Sequence, residues 1–365
     1  MPESKLRELD QALKGAHFMK TSKLIAIDLA KDIFQLAVTC SGSKVTSNKA
    51  VKRKNLLTKV LQHIGAVIVM EACGGANYWS RLFTGAGFDV VLLSPQHVKR
   101  FRAGQKNDAN DVLAIITAYN EYLAGRIPRV EAKSIEQQDM QCIHRIRTQI
   151  DRNVTALGNQ IRGLLAEYGI VMPKTKAALA KAVPELLEDS ENGLSFKFRE
   201  LLDDLNEELK RLTERLNEYT RKIKLAAHQQ EAAKRLMELE GVGEITATAL
   251  VASIGNGSAY QNGRQFSASI GLTPRQHSSG GISKLYGITR IGDSYLRSLL
   301  VHGARSVLSK VDKKVNPNEK SVWLINLKTR IGFNKAAVAL ANKTARTAWA
   351  LLSTGESYRG ANACH

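Results

Sequence analysis

Four carboxylates in this chain occupy positions that suit an acidic catalytic centre. Asp28 ends the apolar run KLIAID and Glu71 ends the apolar run AVIVME, so two predicted strands each finish in a carboxylate. Asp108 and Asp111 lie in KNDANDVLA, three residues apart at the start of a predicted helix and therefore on one face of it. Taken singly, a strand-end Asp is usually structural, and an Asp at a helix start is usually an N-cap.

Together these four carboxylates have the chemistry of a divalent-cation site. Hard cations such as Mg²⁺ prefer carboxylate oxygens, and two such ions roughly 3.5–4 Å apart can stabilise the entering and leaving oxygens of a phosphodiester displacement. We therefore predict that all four are catalytic ligands of Mg²⁺. A sugar-kinase or actin-like ATPase also opens with an Asp-bearing strand, but here Leu29, Ala30 and Lys31 follow Asp28, where that class needs a glycine-rich phosphate turn.

The segment RQHSSGG contains two serines beside basic residues. A serine hydroxyl becomes a nucleophile only when a base or a strong field activates it, and a Ser-Ser-Gly-Gly run in isolation is usually a turn. Four basic residues near Ser279 are predicted to bind nucleic-acid phosphates. They are Arg275, Lys284, Arg290 and Arg297.

Charge is the composition's main departure from average. The 365 residues are 44% hydrophobic and 24% charged, as in folded proteins, but 53 Lys and Arg against 34 Asp and Glu give a net charge of +19. This excess favours a polyanionic partner. No apolar run approaches the roughly 18 to 20 residues of a membrane span, and the first residues lack the apolar centre of a signal peptide, so we expect a cytoplasmic protein, nucleoid-associated when bound to DNA.

The pattern of elements predicts an α/β region followed by helices. Three short strands at hairpin spacing, then helix, strand, helix, strand and helix, is the order of the ribonuclease-H-like fold over residues 21–130. Residues 131–235 read as helical, with a heptad seam from Phe198 to Ile223 that predicts either a helical hairpin or an intermolecular coiled coil. A mainly helical region at 236–355 follows, flanked by an extension at 1–20 and a tail at 356–365.

The last region opens on a Gly-Val-Gly turn and continues into a long glycine-rich basic stretch. The turn, at Gly241 to Gly243, has two interpretations: a helix-hairpin-helix whose backbone N–H groups hold a phosphate, or a plain helix connection. The following segment GLTPRQHSSGGISKLYGITRIGDS reads as a loop.

These motifs occur in a characteristic order. IAIDLAKDIFQLAV, VMEACGG, KNDANDVLA, the Gly-Val-Gly turn and GLTPRQHSSGG resemble the DEDD transposases of insertion sequences, the bridge-RNA-guided serine recombinases related to Piv-type DNA invertases. The resemblance covers roughly residues 21–355. This chain has Asn107 where the family commonly has Thr, a change that should not affect metal ligation.

The resemblance implies a RuvC-like domain with an acidic tetrad, and a C-terminal transposase domain with a nucleophilic serine. The tetrad falls on the four carboxylates named above, and the serine before the glycine is Ser279, with Ser278 the weaker match. The implied activity is RNA-guided DNA recombination: Ser279 attacks a phosphodiester to form a phosphoserine link, with Mg²⁺ on the carboxylates. The implied partners are donor and target DNA and a structured noncoding (bridge) RNA. The long apolar stripe of the Phe198 to Ile223 seam needs a partner, so the sequence also predicts a homo-oligomer, a dimer rising to a tetramer on nucleic acid.

Two rival functions follow from the same residues. In a metal-dependent RuvC-like nuclease or junction resolvase, water attacks the phosphodiester, there is no covalent intermediate, and Ser279 is a turn residue. In a non-catalytic nucleic-acid-binding protein, the carboxylates are structural.

Overall fold

The computed structural model describes residues 23–40, 44–103, 107–280, 282–313 and 318–358. The predicted extension at 1–20 and most of the predicted tail lie outside these residues. The chain divides into two compact units, Met1–Ser134 and Ile135–His365. The first is mixed α/β and the second is mainly helical, which confirms the coarse division predicted from the sequence.

A six-stranded mixed sheet forms the first unit. Its strands, in chain order, are β1 (Leu24–Asp28), β2 (Ile33–Cys40), β3 (Lys44–Lys52), β4 (Val67–Glu71), β5 (Asp89–Leu93) and β6 (Arg129–Val130). Their order across the sheet is β3-β2-β1-β4-β5-β6. The first three are antiparallel neighbours, β1, β4 and β5 are parallel, and β6 is antiparallel to β5. The apolar runs of β1, β4 and β5 lie in the middle of this sheet, as strands covered on both faces should.

Helices cover both faces of the sheet. They are α1 (Leu56–Leu61), α2 (Ala76–Gly85), α3 (Pro95–Val98) and α4 (Asp108–Leu123). One buried cluster contains Phe34, Trp79 and Phe83, and the other contains Val69, Val112 and Ile115 from β4 and α4. Helix α4 packs against β1, β2 and β4 of this sheet.

The second unit begins with two long helices that pack along each other. They are α5 (Ile135–Ala166) and α7 (Phe196–Gln229), with the shorter α6 (Lys176–Glu188) between them. Phe198, Leu202 and Leu209 of the predicted seam are buried against Ile150, Val154 and Ile161 of α5. The helical hairpin is therefore what the structure shows, and the seam's apolar stripe is covered within one chain.

Six further helices complete the second unit. They are α8 (Glu231–Met237), α9 (Glu244–Ile254), α10 (Gly263–Ser269), α11 (Ser294–Lys310), α12 (Glu319–Ile331) and α13 (Phe333–Thr354). They enclose the largest buried apolar cluster of the described chain, in which Leu250, Phe266 and Leu340 are 1% exposed or less.

The segment expected to be a loop is in fact a β-hairpin. Strands β7 (Pro274–Ser279) and β8 (Ile282–Ile288) pair antiparallel, with Ser279 opposite Ile282 and Ser278 opposite Ser283. The loop expectation was wrong because every residue of β7 is exposed, so the strand lacks the apolar alternation by which a strand is recognised in sequence.

Two glycines hold the base of this hairpin. Gly271 and Gly292 have φ values of +73° and +69°. A Cβ on Gly292 would lie 1.9 Å from the carbonyl oxygen of Ser269, and one on Gly271 would lie 2.5 Å from the nitrogen of Ile291. Both positions therefore require glycine for its backbone conformation and for its lack of a side chain.

None of the helices in the described ranges is both long enough and apolar enough to cross a membrane.

Candidate active site

The sheet brings two of the predicted carboxylates together. β1 and β4 are parallel neighbours in the register Ile27 opposite Met70, so the next residues along, Asp28 and Glu71, both lie where these strands end. Beyond Glu71 the chain turns at once, because the N–H of Cys73 donates to the carbonyl of Glu71 at 2.8 Å. Adjacent parallel strands thus deliver both carboxylates to the same edge.

Helix α4 supplies the other two carboxylates, and neither of them caps it. The N-cap is Asn107, whose side-chain oxygen accepts from the backbone N–H of Asn110 at 2.8 Å. Asp108 and Asp111 lie in the first turn, where the positive end of the helix dipole favours negative charge. The capping interpretation is therefore wrong for both, and both carboxylates instead act electrostatically on Asp28 at the sheet edge.

The four carboxylates interact electrostatically around Asp28. Burial raises the pKa of Asp28 from 3.8 to about 6, and the negative charges of Asp111, Glu71 and Asp108 add to the rise in that order. Burial also raises the pKa of Glu71, with a further contribution from Asp111. The structure thus places all four predicted residues at one locus.

Arg102 is a member of this locus that the sequence motifs did not identify. Its Nε lies 2.5 Å from Oδ1 of Asp111. The guanidinium opposes the rise in the pKa of Asp28 and of Glu71. Both Nε of Arg102 and Oδ1 of Asp111 are nevertheless buried without a hydrogen-bond partner, so the pair is close but its N–H is not directed at the oxygen.

The composition of this locus fits a divalent cation, although no cage for one is formed. Its donors are carboxylate oxygens, one of them buried without a hydrogen bond, and they repel each other. Within the described residues, no three acidic, His or Cys side chains are arranged to hold a metal ion. Among the described residues the structure therefore shows the acidic cluster, with Arg102 paired to Asp111, and not a set of formed ligand bonds.

The hairpin of the second unit separates the two candidate serines. Side chains alternate between the faces of a strand, so Ser279 shares a face with His277, and the residue opposite His277 is Lys284. Ser278 lies on the other face, where its hydroxyl accepts from Nε2 of Gln276 at 2.8 Å. The Ser279 side chain is exposed, with no described hydrogen bond to its hydroxyl.

The four predicted phosphate-binding residues fall into two groups. Arg275 and Lys284 are exposed on the hairpin strands. Arg297 is half-buried, and its Nη1 donates to the carbonyls of Ile270 and Ile291 at 2.9 and 2.8 Å, so this arginine helps to fix the hairpin base. Arg290 lies in the same base with a φ of +57°.

The Gly-Val-Gly turn has a packing role in the structure. A Cβ on Gly241 would lie 2.8 Å from the carbonyl oxygen of Gly303, and one on Gly303 would lie 1.9 Å from that of Gly241. The turn and α11 therefore touch backbone to backbone, which requires glycine on both sides. Gly243, in contrast, lies at the exposed N-terminus of α9, with open space where a Cβ would be.

Comparison with known proteins shows the family to which the chain belongs. Residues 233–318 match a family model described as "Transposase IS116/IS110/IS902 family", and residues 25–170 match a DEDD transposase model of the IS110 type. A transposase for insertion sequence element IS1111A of Coxiella burnetii is 41% identical over 95% of this chain and 94% of its own length. The chain belongs to the IS110/IS116 family of insertion-sequence transposases. A probable family 20 transposase of Pseudomonas aeruginosa and the transposase for IS1328 of Yersinia enterocolitica are 40% and 34% identical, each covering 92% of this chain and 98% of its own length.

As a member of this family the chain is a transposase, and its substrate class is DNA. The DEDD model spans all four carboxylates, and the family assignment suggests dependence on a divalent metal. The other model spans the Gly-Val-Gly turn and the whole hairpin with Ser279.

Proposed function

We propose that this transposase is a site-specific DNA recombinase that excises and inserts its own element under the guidance of a structured noncoding RNA. The observation that supports its chemistry best is the convergence of Asp28, Glu71, Asp108 and Asp111 at one sheet edge. In this proposal residues 21–130 form a RuvC-like, ribonuclease-H-like domain, 131–235 a helical connector, and 236–355 the transposase domain that carries the serine.

The role proposed for the carboxylates is to hold Mg²⁺ near the scissile phosphate. When bound there, divalent ions supply positive charge to the phosphate and to the oxygen that leaves. Asp28 and Glu71 are fixed by the backbone of adjacent strands, whereas Asp108 and Asp111 are fixed by a capped helix. Such rigid supports suit a site whose function is positioning.

Ser279 is the proposed nucleophile. Its Oγ would attack phosphorus, so that one P–O bond forms to the serine as one P–O bond to the departing DNA strand breaks. The number of phosphoester bonds is unchanged. The hydroxyl of a second DNA end can then attack the phosphoserine, which joins the two DNA strands and releases Ser279. Ser279 suits this role better than Ser278, because its hydroxyl is exposed on the face that carries His277 and Lys284, whereas Ser278 is hydrogen-bonded to Gln276.

The proposed partners are donor DNA, target DNA and the bridge RNA, and Arg275, Lys284, Arg290 and Arg297 are proposed to lie near the phosphates. The last 95 residues, 271–365, hold 15 basic and 4 acidic residues. Arg275 and Lys284 are exposed to make direct contacts, while Arg297 would act by holding the hairpin base. Function on DNA inside a bacterial cell implies a cytoplasmic, nucleoid-associated protein.

Assembly into a dimer and then a tetramer is also proposed, on grounds other than the heptad seam. That seam is covered by α5 of the same chain. Large apolar side chains remain exposed where the long helices begin and end, including Val171 at 92% and Phe196 at 77%. A self-complementary contact would remove such surface from water.

One observation favours the alternative, a metal-dependent RuvC-like nuclease. No described side chain forms a hydrogen bond with Ser279 that would activate its hydroxyl. In that case water attacks the phosphate, and the hairpin only binds DNA.

Covalent trapping distinguishes the two functions. The full chain is incubated with end-labelled donor DNA, the RNA transcribed from the element's noncoding flank, and Mg²⁺, and is then denatured. A labelled adduct that Ser278→Ala retains and Ser279→Ala loses supports the recombinase. Strand cuts without an adduct support the nuclease, and the absence of both supports a binding protein. RNA guidance is tested by changing the pairing segment of the RNA, which should redirect insertion to the new complementary site.

A further inference from the structure

A cleft of about 780 Å³ lies in the second unit, apart from the hairpin. It is bounded by the start of α10, by α12 and by α13. Its lining includes Trp323, Trp349, Arg264, Lys343 and Arg346. Most of this lining lies beyond residue 318, where the matched transposase model ends.

The cleft contains two of the three tryptophans of the chain. The third, Trp79, is buried in the sheet unit. Trp349 is fixed in place because its Nε1 donates to the carbonyl of Gly257 at 3.0 Å. Trp323 is half-buried, and Nζ of Lys343 lies 4.6 Å from its ring centroid. Two indoles beside open space, one of them held by a hydrogen bond and the other accompanied by an ammonium group, offer a surface on which flat rings can stack.

The charge of the cleft is entirely positive. Arg264, Lys343 and Arg346 line it, and no Asp or Glu is among the lining residues. All three side chains are exposed, and no ion pair joins any of them to another described residue. The neighbouring Lys320, in contrast, is neutralised by Glu240 at 3.1 Å.

The charged residues of α13, the helix that forms one wall of the cleft, are all positive. α13 holds three basic residues and no acidic residue over its 22 positions. Gly263, at the start of α10, lies so close to this helix that a Cβ there would be 2.8 Å from the carbonyl oxygen of Arg346. The cations of α10 and α13 are therefore held beside one another by close backbone packing.

We propose that this cleft binds unpaired nucleotides of a nucleic acid, with bases stacked on the indoles and phosphates held by Arg264, Lys343 and Arg346. Aromatic platforms combined with basic side chains are the features that bind single strands without sequence preference. A duplex offers its phosphates but keeps its bases stacked on each other, so it cannot use the indoles. The inference rests on the proposed function only in that the chain acts on nucleic acid, and DNA and RNA single strands share this chemistry.

The test measures binding of labelled 12-mers to the full chain by fluorescence anisotropy, with oligo-dT, oligo-U and a mixed-sequence duplex as separate arms. The variant Arg264→Gln/Lys343→Gln/Arg346→Gln removes the three charges. The matched control, Lys197→Gln/Arg221→Gln/Lys224→Gln, removes three exposed charges from α7. Each phosphate contact on a single strand contributes a salt slope of about −0.7, so the cleft variant should lose about two units of slope. Between 50 and 200 mM salt this is about a 20-fold difference in the loss of affinity.

A stacking variant gives an independent measurement. Trp323→Ala should weaken single-strand binding by between about 5- and 150-fold, the range of base–aromatic stacking, and leave duplex binding unchanged. If Trp323→Ala melts at a lower temperature than the parent in circular dichroism, Trp323→Phe is used in its place. Quenching of tryptophan emission by the oligonucleotide then measures stacking in the parent protein. Loss of single-strand affinity in the cleft variants, but not in the α7 control, supports the proposal, and the dT and U arms show which nucleic acid the cleft prefers.

Three outcomes would overturn it. One is an unchanged affinity and salt slope in the cleft triple variant. Another is an equal loss on duplex and single strand, which would mean that only phosphates are bound. The third is displacement of the 12-mer by polyglutamate as effectively as by unlabelled dT, which would mean a general polyanion site. None of these depends on strand cutting, so a failure of covalent trapping would refute the recombinase and leave the cleft unaffected.

Discussion

Replacing Asp28 with asparagine should stabilise the protein while abolishing DNA cleavage. Asp28 lies among three other carboxylates, and its ionised form is disfavoured by burial and by their charges. The amide side chain would keep the volume and remove the charge, so the variant loses a proposed metal ligand and also loses a repulsion. A catalytic residue whose removal increases stability is the pattern expected of a strained active site.

The size of the effect follows from the pKa. Its rise from 3.8 to about 6 corresponds to about 3 kcal/mol less favourable ionisation in the folded than in the unfolded chain. Because the side chain is only half-buried, solvent screens part of this, and we expect a gain of about 1–1.5 kcal/mol in the free energy of unfolding at pH 7.5.

The stability gained by Asp28→Asn should depend on pH. The pKa of Asp28 is higher in the folded than in the unfolded chain, so ionisation of Asp28 opposes folding. The penalty is absent below pH 3.8, grows as the pH rises towards 6, and is complete above that value. The advantage of Asp28→Asn should therefore be present at pH 7.5 and smaller at pH 5.

The assay must report on the sheet unit alone, because a chain of two units need not unfold in one step. Trp79 is buried in that unit and is its one tryptophan. In a Trp323→Phe/Trp349→Phe background, urea unfolding followed by tryptophan emission therefore reports on the surroundings of Asp28. The control is Asp32→Asn, because Asp32 is exposed.

An Asp28→Asn protein that is no more stable than its parent at pH 7.5, or equally stabilised at both pH values, would refute the electrostatic reasoning. Addition of Mg²⁺ provides a second check. It should stabilise the parent more than Asp28→Asn, since the parent alone keeps all four carboxylates.

Three further outcomes are expected. Ser279→Ala should abolish the covalent DNA adduct and Ser278→Ala should retain it, and retention of the adduct by both would exclude a serine link at this hairpin. Gly292→Ala should lower the free energy of unfolding by about 2–4 kcal/mol in urea titrations, because the new Cβ meets the carbonyl of Ser269 at a positive φ, whereas a change below about 1 kcal/mol would mean that the hairpin base is adaptable. Asn107→Ala should cost about 1 kcal/mol through the lost N-cap of α4, and Asn107→Thr, which keeps a capping oxygen, should cost a few tenths.

The sheet and its carboxylates could be predicted because the relevant signals are local. An almost wholly apolar run that ends in Asp or Glu identifies a central strand and a polar strand end, and parallel neighbours must end at the same edge. Asp28 and Glu71 follow directly from that rule. Asn107 shows the limit of such local rules: KNDAND contains four Asn and Asp residues that could cap the helix, and only the structure shows that the Asn107 side chain accepts the capping hydrogen bond.

The features that the sequence did not predict have no recognisable local pattern of residues. Arg102 pairs with Asp111, but in the sequence this arginine cannot be distinguished from the other basic residues near it. Strand β7, PRQHSS, is exposed throughout and has no alternation of apolar and polar residues, so it gives no periodic signal of a strand. The indole cleft joins α10 to α12 and α13, whose relevant residues are about 60 to 85 positions apart in the chain.

The negative charge at the sheet edge is a second reason, independent of the family assignment, to expect that DNA cleavage depends on a metal ion. A DNA phosphate is negative, so four carboxylates repel the group that a strand-cutting enzyme must hold. Arg102 is one cation beside four carboxyl groups, and the charges of Asp111, Glu71 and Asp108 each act on the pKa of Asp28 more strongly than Arg102 does, so it offsets only part of this charge. Protonation does not remove the repulsion either, because a carboxyl group with a pKa of about 6, as Asp28 has, is largely ionised at pH 7.5. Further positive charge must therefore accompany the DNA to this edge, and the carboxylate oxygens favour a divalent ion as its source.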